Sequence, residues 1–362
     1  MREWEDEVTV ADQYSVTEDE IRFDHSAEER LYQALSDYWH PVAYASQLGE
    51  DKPISATLLD EQIVLVRLDG EIRAFRDLCV HRGTALSLGW VEDDSLRCAY
   101  HGWKYGPDGM CTEIPSRFGT RIPKRARLTR YAAAEAAGLI WVCMSGKPRF
   151  PLPEFPYRDD PGFKVIEVPS YDWNCSMPRR IENYVDFAHF AWVHDGVLGD
   201  RDQPEVPDHG IGRVGHELRF DHPHMAEPAD SGKNKGLESG DGPVEVQIDY
   251  RLFMPNTILL DQWIPQLEQR YLLFFTVCPT GRKTSRCFTF MGRDYSLDEQ
   301  TDRDMLDFNA LVIGQDLPIV QSQRPEELPM DLSAEVQIKG SDRVAVEYRR
   351  WLKELAYSTD TP

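Results

Sequence analysis

The chain changes its hydrophobic rhythm three times. Residues 26–39, SAEERLYQALSDYW, space their apolar positions as a helix does, behind a serine suited to an N-cap. From Trp39 to about residue 146 the spacing shortens to strand-like alternation. ISATLL, QIVLVRL, IRAFRDL, LRCAY, RLTRY and LIWVCM are separated by turns such as DGE and GPDGM. Residues 147–162 then carry five prolines in sixteen positions, the composition of a crossing segment or boundary. Beyond Phe163, FKVIEV, EVQIDYRLFM, TILLDQWI, RYLLFFTVCP and RCFTFMGRDY predict strands, and 178–194, 296–314 and 341–357 predict helices.

This order predicts an α+β chain in four parts. They are an N-terminal helical segment (1–38), an all-β domain (39–146), the Pro-rich crossing (147–162) and a C-terminal domain (163–362) of antiparallel sheet covered by helices. The polar Gly/Pro/Ser run 226–243 is expected to be a surface loop, with a lid over a site as the alternative. No internal repeat is visible.

At 362 residues the chain has room for two cores, and its 41% hydrophobic content is that of a globular protein. A net charge of −22 argues against binding nucleic acid, whose phosphates need cations. The sequence has no apolar run of the length a membrane span needs, and MREWEDEVTV is acidic where a signal peptide is basic then apolar, so the expected location is the cytoplasm. Of seven cysteines, Cys111, Cys143, Cys175, Cys278 and Cys287 show no regular spacing and read as buried thiols.

The remaining two carry chemistry. Cys79-Val80-His81 and Cys98-Ala99-Tyr100-His101 each place one thiol and one imidazole in a Gly-containing turn. Two thiolates and two imidazoles can hold a [2Fe–2S] cluster with the sulfurs on one iron and the nitrogens on the other. Replacing two thiolates by neutral rings raises the cluster's potential. A Cys2His2 zinc site is the alternative, although zinc fingers usually group Cys with Cys and His with His. Gly83, Gly102 and Gly109 read as turn residues, and Trp103 and Tyr105 as shielding for the cluster or packing at a subunit contact.

Through CVHRG and CAYHGWKY the chain resembles the Rieske non-haem iron oxygenases, and RRIENYVDFAHFAWVHDGVL (179–198) is similar to that family's mononuclear iron motif. The resemblance implies a Rieske cluster on Cys79, His81, Cys98 and His101. It also implies Fe(II) on His189, His194 and the distal Asp316. Asp186 is then the carboxylate that links one subunit's cluster to the next subunit's iron, and Asn183 a group beside iron or substrate. Two histidines five apart lie about 140° apart on a regular helix, so the helix must end or distort there for both to reach one metal. Asp195-Gly196 supplies a stop. Asp302, Asp304 and Asp307 read as solvated, and His209, His216, His222 and His224 are assigned to no metal.

WHPVAY, the iron motif and EYRRWLKEL (347–355) make the chain most similar to the branch of methylxanthine N-demethylases and aromatic O-demethylases. The implied enzyme is the terminal oxygenase of a multicomponent monooxygenase. It uses O2 and electrons from an NAD(P)H-dependent reductase, with or without a ferredoxin, on a small aromatic or heterocyclic substrate. The implied assembly is a homotrimer or built from trimers. A ring cis-dihydroxylating dioxygenase is the alternative within the family, and an electron-transfer or zinc-binding module the alternative outside it. Phe253, Trp263, Phe274 and Phe290 read as core, with a flat-substrate pocket as their other use.

Overall fold

A computed structural model describes residues 25–117, 119, 121–222 and 246–358. The run 226–243 and His224 lie outside the described residues. After helix α1 (His25–Ala34), the chain enters a six-stranded antiparallel sheet and a smaller four-stranded one. The first contains β1 (His40–Tyr44), β2 (Ile54–Leu58), β3 (Glu61–Leu68) and β4 (Glu71–Arg76). The second contains β5 (Trp90–Glu92), β6 (Ser95–Arg97), β7 (Lys104–Tyr105) and β8 (Cys111–Glu113). β9 (Arg130–Ala136) and β10 (Leu139–Cys143) return to the first sheet, whose order is β1-β10-β9-β4-β3-β2.

The second half is built on seven antiparallel strands. These are β11 (Lys164–Trp173), β12 (Ile211–Val214), β13 (Glu217–Asp221), β14 (Gln247–Phe253), β15 (Thr257–Ile264), β16 (Gln269–Gly281) and β17 (Thr284–Arg293). Their order is β11-β17-β16-β15-β14-β13-β12. α2 (Met177–Val185), α3 (Phe190–Val193), α4 (Glu299–Ser322) and α5 (Arg343–Tyr357) complete the chain. The hairpin β12–β13 was not expected, because β12 is a largely exposed edge strand without a hydrophobic face.

Ala27 and Leu31 of α1, with Leu35 just after it, pack into the same core as Val344, Tyr348 and Leu352 of α5, so the N-terminal helix belongs to the C-terminal core. Ser26 lies inside this helix, not at a cap. A second core joins the halves: Tyr44, Leu58 and Trp141 pack with Leu259, Phe274 and Phe290 of the large sheet. Buried Tyr44 donates to Val168 O at 2.6 Å and accepts from Thr289 N at 2.9 Å, pinning β1 where the β11–β17 register is interrupted. The Pro-rich crossing adds Phe155, stacked on Phe274 with ring centroids 4.8 Å apart.

Strands β15 to β17 are covered on both faces, and strand alternation divides their side chains. Leu259, Leu272, Phe274, Phe288 and Phe290 face the N-terminal half. Leu260, Gln262, Tyr271, Leu273, Phe275, Thr289 and Met291 line a pocket on the other face.

Candidate metal centres and substrate pocket

The two Cys/His turns are built alike. In the first, Gly83 N donates to Cys79 O at 2.9 Å and Cys79 N donates to Thr84 O at 2.8 Å. In the second, Gly102 N donates to Cys98 O at 3.0 Å and Cys98 N donates to Trp103 O at 2.9 Å. Each glycine is four residues after its cysteine and left-handed, at φ 72° and 69°, a conformation that glycine adopts without strain. The second turn caps the β6–β7 hairpin, and the first connects the two sheets. The apparent strand LRCAY stops at Arg97 because Cys98 begins this turn.

Both turns offer their donors to one place. Cys79 and Cys98 are 2% and 1% exposed and unbridged, and the His81 and His101 rings stand 4.5 Å apart. Burial first, then the neighbouring Cys79, pushes the Cys98 thiol above its ordinary pKa. Trp103 stacks on His81 at 4.5 Å, and the Tyr105 hydroxyl lies 3.1 Å from Cys79 Sγ. All five remaining cysteines are buried and free.

The predicted helix 178–194 is broken where two histidines require it. α2 ends at Val185, and Asp186 turns the chain by accepting from Ala188 N at 2.8 Å. Phe187 is fully buried, edge-on to Phe190, His209, Phe220, His222 and Tyr250, and anchors the break. His189 and His194 then flank the single turn of α3, with Gly196 left-handed at φ 73° just after it. Their rings converge on Asp316 of α4. His189 Nε2 is 3.4 Å and His194 Nε2 3.1 Å from Asp316 Oδ1, and the three donors lie within 4.8 Å of one another. Burial works to raise the Asp316 pKa, but His189, His194 and Arg180 hold it well below the ordinary range. Burial likewise opposes protonation of His189, while Asp186 and Asp316 raise its pKa to about 9. Asp186 Oδ2 stands 3.5 Å from His189 Nδ1, and its side chain is 38% exposed.

Residues 38–124 match the Rieske [2Fe-2S] domain and residues 173–358 the vanillate O-demethylase oxygenase C-terminal domain. Methylxanthine N1-demethylase NdmA of Pseudomonas putida is 34% identical over 342 residues, covering 91% of this chain and 90% of that one. The N3-demethylase NdmB of the same species is 33% identical over 343 residues, covering 91% and 92%. The structure of NdmA with caffeine superposes with a TM-score of 0.80 at 32% identity, covering 90% of this chain and 92% of that one. A 3-chlorobenzoate-3,4-dioxygenase oxygenase subunit of Comamonas testosteroni is 29% identical over 283 residues, covering 70% and 61%. The chain belongs to the Rieske non-haem iron oxygenases.

The oxygenase accordingly uses a [2Fe–2S] cluster and a mononuclear iron, and the zinc alternative falls. The residues present suit both groups. Asp316 Oδ1 is buried without a hydrogen-bond partner although two imidazoles stand beside it, a donor set that one divalent cation completes. His81 Nδ1 is also buried and unpartnered, beside two unbridged buried thiols.

The pocket encloses about 890 Å³, part of it open to solvent, with the triad among its walls. Asn183 lines it, and so do residues that sequence reasoning missed. Arg180 is 4% exposed, packed against Trp173 and Phe275, and donates to Asn183 Oδ1 at 2.7 Å. This leaves the Asn183 amide N–H groups as its free polar end. Gln315 Oε1 meets His194 Nδ1 at 2.8 Å, fixing the tautomer that leaves Nε2 for metal. Its only signal in the sequence is its place next to Asp316.

The reading of Asp302 needs correction. Asp302 is not solvated: it meets the fully buried Arg293 at 2.5 Å and Lys164 at 2.7 Å, although Asp307 is exposed. Phe253, Phe274 and Phe290 are core, as first read, and none of them lines the pocket, nor does Trp263, which lies under Arg270. No helix among the described residues is long and apolar enough to cross a membrane.

Proposed function

We propose that this oxygenase is the terminal component of a multicomponent monooxygenase that removes a methyl group from nitrogen or oxygen of a small, flat aromatic or heterocyclic substrate. The observation that carries this is the pocket itself: an apolar floor of Leu260, Leu273 and Met291 beneath α4, with His189, His194 and Asp316 in its wall. The similarity to two methylxanthine N-demethylases favours this reaction within the family.

His189, His194 and Asp316 would hold iron, and Cys79, His81, Cys98 and His101 the cluster. When bound, the cluster stores an electron from an NAD(P)H-dependent reductase, directly or through a ferredoxin, and the iron activates dioxygen. The substrate methyl and O2, with two electrons and two protons, yield the demethylated product, formaldehyde and water. Asp186, half-exposed beside His189, would link this site to the cluster of the next subunit in a homotrimer or trimer-based assembly. Asn183, turned by Arg180, would present its amide to the substrate. The domain limits proposed are 39–146 and 163–362, joined by 147–162 and preceded by 1–38, and the proposed location is the cytoplasm.

The test is to supply the purified protein with an NAD(P)H-dependent reductase and N- or O-methylated aromatic compounds, following oxygen and products. Formaldehyde in step with a single demethylated product supports the proposal. A cis-diol would instead establish ring dioxygenation, the second reading, which the chlorobenzoate dioxygenase relative favours. Electron uptake without oxygen consumption would leave only an electron carrier.

A further inference from the structure

The pocket floor is not uniformly apolar. Two residues beyond Leu260 on β15, Gln262 pairs across the sheet with Tyr271 and lines the same cavity. It is 1% exposed, yet among the described residues neither its Oε1 nor its Nε2 has a hydrogen-bond partner. Native proteins pair nearly all such buried polar groups, so a carboxamide idle at both ends has a partner yet to arrive. The opposite wall offers a second such group. Asn309 on α4 also lines the cavity, with Oδ1 buried and unpartnered. Asn309 precedes Asp316 by seven residues, two turns, which places it on the same side of α4 and about 10 Å along the axis.

The arginine in this pocket is committed at all but its Nε. Arg180 gives Nη1 to Asn183 and Nη2 to Tyr171, its faces pack on Trp173 and Phe275, and Asp316 attracts its charge. The open capacity therefore belongs chiefly to neutral amides, those of Gln262 and Asn309 with the N–H groups of Asn183, which match a neutral polar edge better than an anion. Gln262 holds a donor and an acceptor side by side, and both are satisfied at once by a ring carbonyl next to a ring N–H.

We infer that Gln262 is a specificity-determining residue that reads a lactam or imide edge of the substrate. Asn309 supplies a second acceptor from the helix wall. Gripping the substrate away from Asp316 selects which methyl group faces the triad. The inference rests on the reading of this pocket as the site of a flat methylated substrate.

The test uses the holoenzyme and two variants, Gln262→Met, which keeps the shape of the side chain, and Gln262→Leu. Dissociation constants are measured for theobromine against caffeine and for 2-quinolone against its N-methyl derivative, pairs in which methylation removes the ring N–H. In the wild type the N–H member of each pair binds roughly tenfold tighter or better, and in both variants the ratio falls below about twofold. Without ligand, Gln262→Met melts no lower than the wild type, because the carboxamide has no bond to lose; a merely structural glutamine would lower the melting temperature.

Ratios unchanged by the substitutions, no binding of any of the four probes to the wild type, or a Gln262→Met protein that melts several degrees lower each overturns the inference. Formaldehyde release from a methylated carbocycle lacking this edge, undiminished in Gln262→Met, overturns it while leaving demethylation intact. Absence of formaldehyde from every methylated compound overturns both.

Discussion

His194 is flanked at both ring nitrogens by consecutive residues of one helix: Gln315 Oε1 lies 2.8 Å from Nδ1, and Asp316 Oδ1 lies 3.1 Å from Nε2. The ring is 1% exposed and has little freedom to turn. Gln315→Leu removes the acceptor that fixes its tautomer and should weaken iron binding about 10–100-fold. Competition with a ferrous chelator measures this, and the [2Fe–2S] absorbance should not change. Unaltered iron affinity would show that packing alone orients His194.

Asp186 tests the route between the centres. Asp186→Ala is expected to keep both metals and to lose turnover by about 10–100-fold or more, because the carboxylate beside His189 is gone while the triad remains. Metal analysis combined with stopped-flow reoxidation of the reduced cluster checks both halves of the statement. Full activity would remove Asp186 from the electron path.

At the other centre, Tyr105 is positioned to donate to a thiolate at Cys79, its hydroxyl kept protonated first by burial and then by that sulfur. Hydrogen bonds to cluster sulfurs raise the potential, so Tyr105→Phe should lower the midpoint on the order of tens of millivolts without loss of the Rieske spectrum. Cys98→Ser should bleach the cluster and leave the mononuclear site able to take iron. Potentiometric titration and electron paramagnetic resonance distinguish the two outcomes, and a Rieske signal retained in Cys98→Ser would refute that ligand.

Acid should loosen the fold at one network. Buried Arg179 and Arg349 meet Glu335 at 2.7 and 2.5 Å, and Arg349 also pairs with Glu182. Burial works to raise the Glu335 pKa, but the two arginines hold it below the ordinary value. A lowered folded pKa means the unfolded chain takes the proton more readily. The stabilisation is therefore complete above the unfolded value near ~4.3 and disappears as the pH falls through the folded one. Glu335→Gln should cost about 1–3 kcal/mol at neutral pH and flatten the fall of melting temperature below about pH 4. Parallel curves for the two proteins would exclude Glu335 as a source of acid sensitivity.

Most of the metal-binding chemistry was legible because its donors are close in sequence, Cys79 with His81, Cys98 with His101, and His189 with His194, whereas the distant Asp316 came only through the family resemblance. The five-residue spacing even required the helix break that Asp186 and Phe187 produce. What stayed hidden depends on partners far away along the chain. Asp302 looked solvated because Arg293, its buried counter-ion, sits on a strand whose burial the sequence does not announce. In RYLLFFTVCP both faces of β16 are apolar, so alternation could not tell that Phe274 faces the N-terminal half and Phe275 the pocket. Gln262 and Gln315 look like any other glutamines until the fold buries one and sets the other against His194.

The seam between the two halves and the floor of the pocket are opposite faces of the same three strands. Odd and even positions along β16 thus carry separate duties: 271, 273 and 275 meet whatever enters, and 272 and 274 hold the halves together. New chemistry can be selected at the first set without loosening the second, so long as each change keeps its volume. A fold arranged this way can exchange one ring system for another while its two redox sites stay in place.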